Sequence, residues 1–285
     1  MEFLPYHLDG LTPELIQKAK TELGEAPEVK KQALISFKQL IENEPNFYPF
    51  MDDTFFLMFL RCKKYNVQKA FNSLLNFYRF KKKYSGIFTD FLQSDLKKVM
   101  NMNSFKDCDL RTKDGGIVGV LLLGNHKWEQ ASIEDIVATI LHIGLITYRK
   151  EATQISGGRI IIDFRNVTWH QFLKCASPTM LGLVFSSVEN CWPFRLKAIH
   201  LVNEPKAFSL FFNMLKFTMP KKVQERFHMH GKDLDGLHKY IPPEMLPEEL
   251  NGKEGPMDNT DYYKYILSHE DLLREMNKCG FKSEK

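Results

Sequence analysis

At 285 residues, 44% hydrophobic and 26% charged, the chain is long enough to bury a substantial core and is neither disordered nor fibrous in composition. A net charge of +4 is too small to argue for nucleic acid, and no zinc-finger spacing or RNP-like aromatic motif supports such a partner. The cysteines, Cys62, Cys108, Cys175, Cys191 and Cys279, contain no CxxC pair, which disfavours a disulfide framework or a zinc site and suggests a reducing compartment, the cytoplasm.

In chain order, "MEFLPYHLDG" lacks a basic region followed by an apolar one, so no secretion signal is expected. The longest apolar runs, "FFLMFL" and "GIVGVLLLG", fall far short of the roughly 20 residues a bilayer span requires. "LTPELIQKAKTELG" carries helix boundary signals, with Thr12 as N-cap, Pro13 in the first turn and Gly24 near the stop. Helices are predicted through "EVKKQALISFKQLIE", "DTFFLMFLRC", "NVQKAFNSLLNFYRFKKKY" and "TDFLQSDLKKVMN". Asn66 caps the fourth of the series, where Val67, Ala70, Phe71, Leu74, Leu75 and Tyr78 recur at helical spacing. A helical N-terminal domain over residues 1–100 follows.

From Phe105 the periodicity changes. "GGIVGVLLLG", "GGRIIIDF" and "FRLKAIHLV" are short β-branched or apolar runs, as expected of strands buried on both faces. Between them, Ser132 caps "IEDIVATILHIGLITYRKEA", and Ser177 with Pro178 starts "TMLGLVFSSVENC". Strand, helix, strand at this spacing implies parallel pairing with right-handed crossovers. The expected fold class is α/β, with an α/β domain at 101–257 and a C-terminal helical tail at 258–285 near "TDYYKYILSHEDLLREMNK".

Catalytic and cofactor signatures are missing: no GxGxxG after a strand, no GxxxxGK[ST], no GxSxG elbow. Neither an enzyme nor a bound cofactor is expected. His228 and His230 in "FHMHG" share one face of a possible strand, but no third ligand is identifiable, and no metal is expected. Asp163, closing "RIIID", stands where open α/β sheets place functional groups; a carboxylate satisfying backbone donors is the simpler reading.

The segment 205–217 reads as a helix whose apolar residues sweep about 220° of its circumference at 100° per residue. One core face uses little more than about 100°. If the inner half covers a pocket, the three or four large side chains outside forgo roughly 5 to 10 kcal/mol of burial, so an outer partner is expected. That partner is a membrane interface or the N-terminal domain packed over the helix.

The segments "FLRCKKYNVQKAFNSLLNFYRFKKKY", "FRLKAIHLVNEPKAFSLFFNMLKFTMPKKVQERFHMHG" and "LPEELNGKEGP" together resemble the CRAL-TRIO lipid-binding family from about Asp53 to Pro256. IH-x-x-N-E-P followed by HMHG is most similar to its tocopherol and retinaldehyde carriers. The resemblance implies a helical N-terminal domain, an α/β lipid pocket and a mobile gate helix, on which Phe208, Phe211, Phe212 and Leu215 fall. A membrane-facing gate would turn Phe211 and Phe212 outward. Family position and apolar periodicity together select Val137, Ile140, Leu141, Gly144, Ile162, Val184, Val188, Phe194, Leu196 and Ile199 as the ligand pocket. In the tocopherol carrier, ligand-contacting serines align with Ile140 and Gly144, while Thr139 and His142 lie nearby. Tocopherol itself is thereby put in doubt. Leu250 and Asn251 replace a common tyrosine and glycine, with a consequence expected for packing alone.

Arg195 and Lys197 alternate on one strand face, opposite Leu196. Lys222 and Arg226 stand at i and i+4 if the segment after Pro220 is helical. The resemblance implies that these four and Lys63 bind a phosphoinositide head group, a role that suits several converging cationic donors. The expected function is a cytoplasmic, peripherally membrane-associated, monomeric carrier. It would take one hydrophobic small molecule (a tocopherol-like isoprenoid, retinoid, carotenoid or fatty-acyl lipid) to phosphoinositide-containing membranes. The alternative is a phosphoinositide-sensing signalling or scaffold module with a structural lipid.

Overall fold

The computed structural model describes residues 3–8, 10–175, 177, 180, 191–208, 212 and 221–282, the side chain of Lys222 excepted. Short strands β1 (Leu4–Pro5) and β2 (Phe47–Tyr48) flank the first helices. Helix α1 (Pro13–Lys18) opens on the Thr12 hydroxyl, which accepts from the Leu15 N–H, and continues as a π-helical turn through Ala19–Leu23 to Gly24 at φ 70°. Helices α2 (Pro27–Glu42), α3 (Asp53–Cys62) and α4 (Val67–Lys83) form the bundle, the last two capped by Asp52 and Asn66. Their shared faces bury Phe37, Phe55, Phe56, Phe59, Leu74 and Phe77.

One segment departs from its predicted helix. Of residues 89–101, only α5 (Lys97–Met100) is helical. Asp90 takes a left-handed φ of 65°, and the Asp95 carboxylate accepts from the Leu92 N–H at 2.8 Å. Those local bonds favour turns over helix.

The central sheet is built from β3 (Phe105–Asp107), β5 (Ile117–Leu122), β6 (Gly158–Asp163), β7 (Leu196–Val202) and β8 (Phe227–Met229), in that spatial order. The strand β4 (Leu110–Arg111) pairs instead with β1, and Gly280–Phe281 with β2. The first pair of the central sheet is antiparallel and the rest parallel. Because successive parallel strands are neighbours, right-handed crossovers carry their helices to one face. There α6 (Ile133–Thr147) starts on a Ser132–Asp135 capping box, with α7 (Glu151–Ser156) as a separate turn beyond it. The opposite face packs Val118, Val120, Ile161 and Val202 against Leu237, Ile241, Met245 and Leu250.

The predicted C-terminal helix is two, Thr260–Leu267 and Glu270–Asn277. Between them the Ser268 hydroxyl (2.7 Å) and the His269 Nδ1 (2.9 Å) converge on the Tyr265 carbonyl. Leu250 is fully buried, and Asn251 sits at φ 53°, the conformation that a glycine takes freely and asparagine tolerates. Both substitutions are thus accommodated in packing and backbone.

Candidate functional site

Between α6 and the sheet lies a cavity of about 290 Å³ with an almost wholly apolar lining. Val137, Ile140, Leu141 and Gly144 of α6, Ile162 of β6, Phe194, and Leu196 and Ile199 of β7 all front it. Val184 and Val188 lie outside the described residues. Strict alternation would place Leu196 and Ile199 on opposite faces of one strand. A β-bulge reconciles them: Gly158 pairs with Leu196 but Arg159 with Ala198, leaving Lys197 as the extra residue.

Gly144 is required by its neighbour. A Cβ there would stand 2.2 Å from the Phe194 ring, which stacks on Tyr148 at a centroid distance of 4.6 Å. Thr139 and His142 do not line the cavity. The Thr139 hydroxyl donates to the Asp135 carbonyl at 2.7 Å and His142 Nδ1 to the Ala138 carbonyl at 2.6 Å. Burial pulls the His142 imidazole down to about 4.

The cavity is closed on one side by aromatic rings. Phe208 is buried against Phe172 (5.3 Å) and Phe164 (6.0 Å), and Phe212 against Phe227 (4.9 Å). Phe212 therefore faces inward, contrary to the outward orientation expected of a membrane-facing gate residue. Phe211 and Leu215 lie outside the described residues. Beside this closure, α8 (Trp169–Cys175) exposes Trp169 at 53% and Leu173 at 49% while burying Phe172 beneath them. Periodicity could have found that pair, since positions i and i+4 share a helix face.

The motif halves IH-x-x-N-E-P and HMHG meet across β7 and β8. Asn203 N–H donates to the Gly231 carbonyl at 2.6 Å, and Gly231 N–H to Glu204 at 2.9 Å. His228 and His230 stack on His200, and Tyr240 packs against all three imidazoles, which explains the histidines by packing. Asp163 accepts from Arg165 N–H and from the Asn203 amide, both at 2.8 Å, the role of a strand-end carboxylate.

Two of the predicted basic residues converge. Arg195 (3.1 Å) and Lys197 (3.3 Å) both reach the Glu22 carboxylate, which Lys18 joins at 3.7 Å. Burial opposes and these cations favour the charged Glu22, with a net shift below the usual carboxylate range. Lys63 terminates α3. Arg226 lies beyond the short helix Lys221–Gln224, so the helix does not span both predicted positions; the Lys222 side chain is outside the described residues. The Arg226 carbonyl instead accepts from Ile199 N–H at 2.7 Å, which ties it to the start of β8.

Missed by sequence reading are the polar members of the cavity wall, Asp107, Thr147, Tyr148 and Arg159. Gly119, a glycine inside the strand "GIVGVLLL", is the available signal, because such glycines mark close approach.

No helix among the described residues is long and apolar enough to cross a membrane. A family model for the CRAL/TRIO domain matches residues 109–252. The chain is 30% identical over 95% of its length to the mouse alpha-tocopherol transfer protein-like protein, covering 79% of that protein. It is 28% identical over 92% of its length to human clavesin-2, covering 80% of it. The crystal structure of Sfh5 superposes with a TM-score of 0.50 at 13% identity, over 93% of this chain and 99% of that one, and shares the fold. The cavity between α6 and a mainly parallel sheet, the paired motifs across β7 and β8, and these matches agree: the chain belongs to the CRAL/TRIO family of lipid-binding proteins.

Proposed function

We propose that this protein is a non-enzymatic carrier that holds one hydrophobic small molecule in the α6–sheet cavity and exchanges it at phosphoinositide-containing membranes. The observation that carries the reading is the apolar cavity of about 290 Å³ with Phe208 packed across one side. Ten methylenes of cargo moved from water into such a wall contribute about 8 kcal/mol, enough to hold a lipid and enough to require a membrane for its release. Exposed Trp169 and Leu173 beside the closure supply apolar side chains for an interface. Arg195 and Lys197, gathered on Glu22, supply cations for phosphate groups.

The test is transfer of a fluorescent isoprenoid from donor vesicles to acceptor vesicles with and without phosphatidylinositol bisphosphate. A carrier in catalytic amounts accelerates transfer, and more so to the phosphoinositide acceptors. Binding to the vesicles without turnover would sink the carrier reading in favour of a phosphoinositide sensor with a structural lipid.

A further inference from the structure

In a largely apolar lining that also includes Thr147, Cys175 and Arg159, whose guanidinium is paired with Asp114, Asp107 is the one carboxylate. It is 5% exposed, and its Oδ2 accepts from the Tyr6 hydroxyl at 2.8 Å and the Tyr262 hydroxyl at 2.9 Å. These tyrosines come from opposite ends of the chain, so the first residues and the C-terminal helix meet behind one carboxyl group. A carboxylate kept for packing alone would be expected to spend both oxygens this way. Its Oδ1 makes no hydrogen bond among the described residues and points to Gly119, its register partner on β5. A Cβ at Gly119 would stand 3.2 Å from that oxygen and 3.2 Å from the Phe105 ring, so the missing side chain lets both approach the strand.

Tyr148 supplies a second polar group. It lines the cavity at 7% exposure, its ring is held by Phe194, and its hydroxyl makes no hydrogen bond among the described residues. Burial first, then the nearby Asp107 carboxyl, push the phenol above its ordinary range. Burial likewise raises the Asp107 carboxyl against the two tyrosine hydroxyls that favour its charge. Both residues line the same largely apolar cavity, and neither atom has a hydrogen-bond partner among the described residues, so a group inside the cavity can supply one.

We propose that Asp107 Oδ1 and the Tyr148 hydroxyl anchor the polar end of the cargo, and that this end is a hydroxyl group on an otherwise apolar molecule. A hydroxyl can donate to a carboxyl oxygen and accept from a phenol, so one cargo group carries the chemistry that both atoms lack. An ether or hydrocarbon end satisfies at most one. An anionic end would bring a second negative charge against a buried carboxyl. The inference rests on the carrier reading and narrows its cargo to alcohols or phenols.

The test compares 1-hexadecanol with hexadecyl methyl ether, each delivered from cyclodextrin and titrated into the full-length protein under native mass spectrometry. The parent should prefer the alcohol by about tenfold or more, as expected where buried polar groups lose their partner. In Asp107→Leu and in Tyr148→Phe the alcohol-to-ether ratio should collapse toward one, with the loss falling mainly on the alcohol, a split that a purely structural role would not produce. Should Asp107→Leu fail to fold, the parent ratio and Tyr148→Phe still decide. Equal binding of both probes by the parent, or a preference that survives in every folded variant, overturns the anchor and leaves the carrier reading standing. A parent that binds neither probe overturns both.

Discussion

Gly144 and Phe194 divide one volume between helix and ring, which makes position 144 sensitive despite its smallness. Ordinarily Gly→Ala inside a helix gains up to about 1 kcal/mol. Here the new Cβ would lie 2.2 Å from the Phe194 ring, so Gly144→Ala should destabilise by about 1 to 3 kcal/mol and reduce cargo uptake. Urea unfolding decides the matter, and a stability equal to or above the parent's would show that the ring yields freely. His142 and His200 bear on pH. Burial lowers the first imidazole to about 4, and burial with the neighbouring His228 and His230 lowers the second to about 3. Their folded values lie below the unfolded one, so between about pH 6.5 and 4 the unfolded chain binds more protons. Stability is therefore full above that window and falls as pH drops through it. Replacing His142 with Gln should flatten the slope of melting temperature against pH between 6.5 and 4; an unchanged slope would remove His142 as a contributor.

At the scale of elements, the π-helical turn through Ala19–Leu23 is held against β7 by charge. Glu22 joins Lys18, Arg195 and Lys197 into one cluster, and Arg195 also reaches the Ile155 carbonyl. The same two cations are the ones proposed to meet a phosphoinositide, so Glu22 competes with the membrane for them. Glu22 is 38% exposed at its side chain, and an exposed pair contributes about 0.2 to 1 kcal/mol. Glu22→Gln should therefore raise affinity for phosphoinositide vesicles by about two- to fivefold, and Arg195→Ala with Lys197→Ala should abolish the phosphoinositide preference. Sedimentation with vesicles at 50 and 300 mM salt reads both effects, which screening should shrink at roughly the higher value. Weaker binding of Glu22→Gln would mean that the turn orders the basic pair instead of competing for it.

Across the whole molecule, the helical bundle and the cavity wall share one core. Buried residues run without interruption from Phe37, Phe55 and Phe77 through Trp192 to Tyr148 and Leu141. Arg61 fastens the polar side of the same junction: fully buried, it reaches Glu25 at 2.7 Å, Glu151 at 2.8 Å and Gln154 at 2.8 Å. Arg149 adds a two-pronged contact with Asp52 at 2.9 and 3.2 Å. Removing one partner of such a buried set strands the others, so Arg61→Ala should cost about 3 to 5 kcal/mol. Chemical denaturation should show one cooperative transition at lower denaturant. A loss below about 1 kcal/mol, or two separated transitions, would mean that bundle and α/β unit are less coupled than the shared core implies.

Local chemistry written in the sequence determined most of the elements. Thr12, Asn66 and Ser132 cap the helices they were expected to cap, because an N-cap needs only a side-chain oxygen two or three residues from the N–H it satisfies. The described residues that apolar periodicity and family position select, from Val137 to Ile199, front one cavity, since the faces that bury are the faces that line; the same wall takes in Ile143, Tyr148, Ile160 and Phe172, which neither signal singled out. Competition decided the rest. Side-chain bonds from Asp95, Ser268 and His269 break helices that periodicity runs straight through. The bulge at Lys197 brings Leu196 and Ile199 to one face, and it exists only as a pairing with β6. Phe212 turns inward because Phe227 is there to receive it. The carboxyl at the cavity wall needs residues 6, 107, 119 and 262 to meet, and no local pattern encodes a meeting between segments so far apart in the chain.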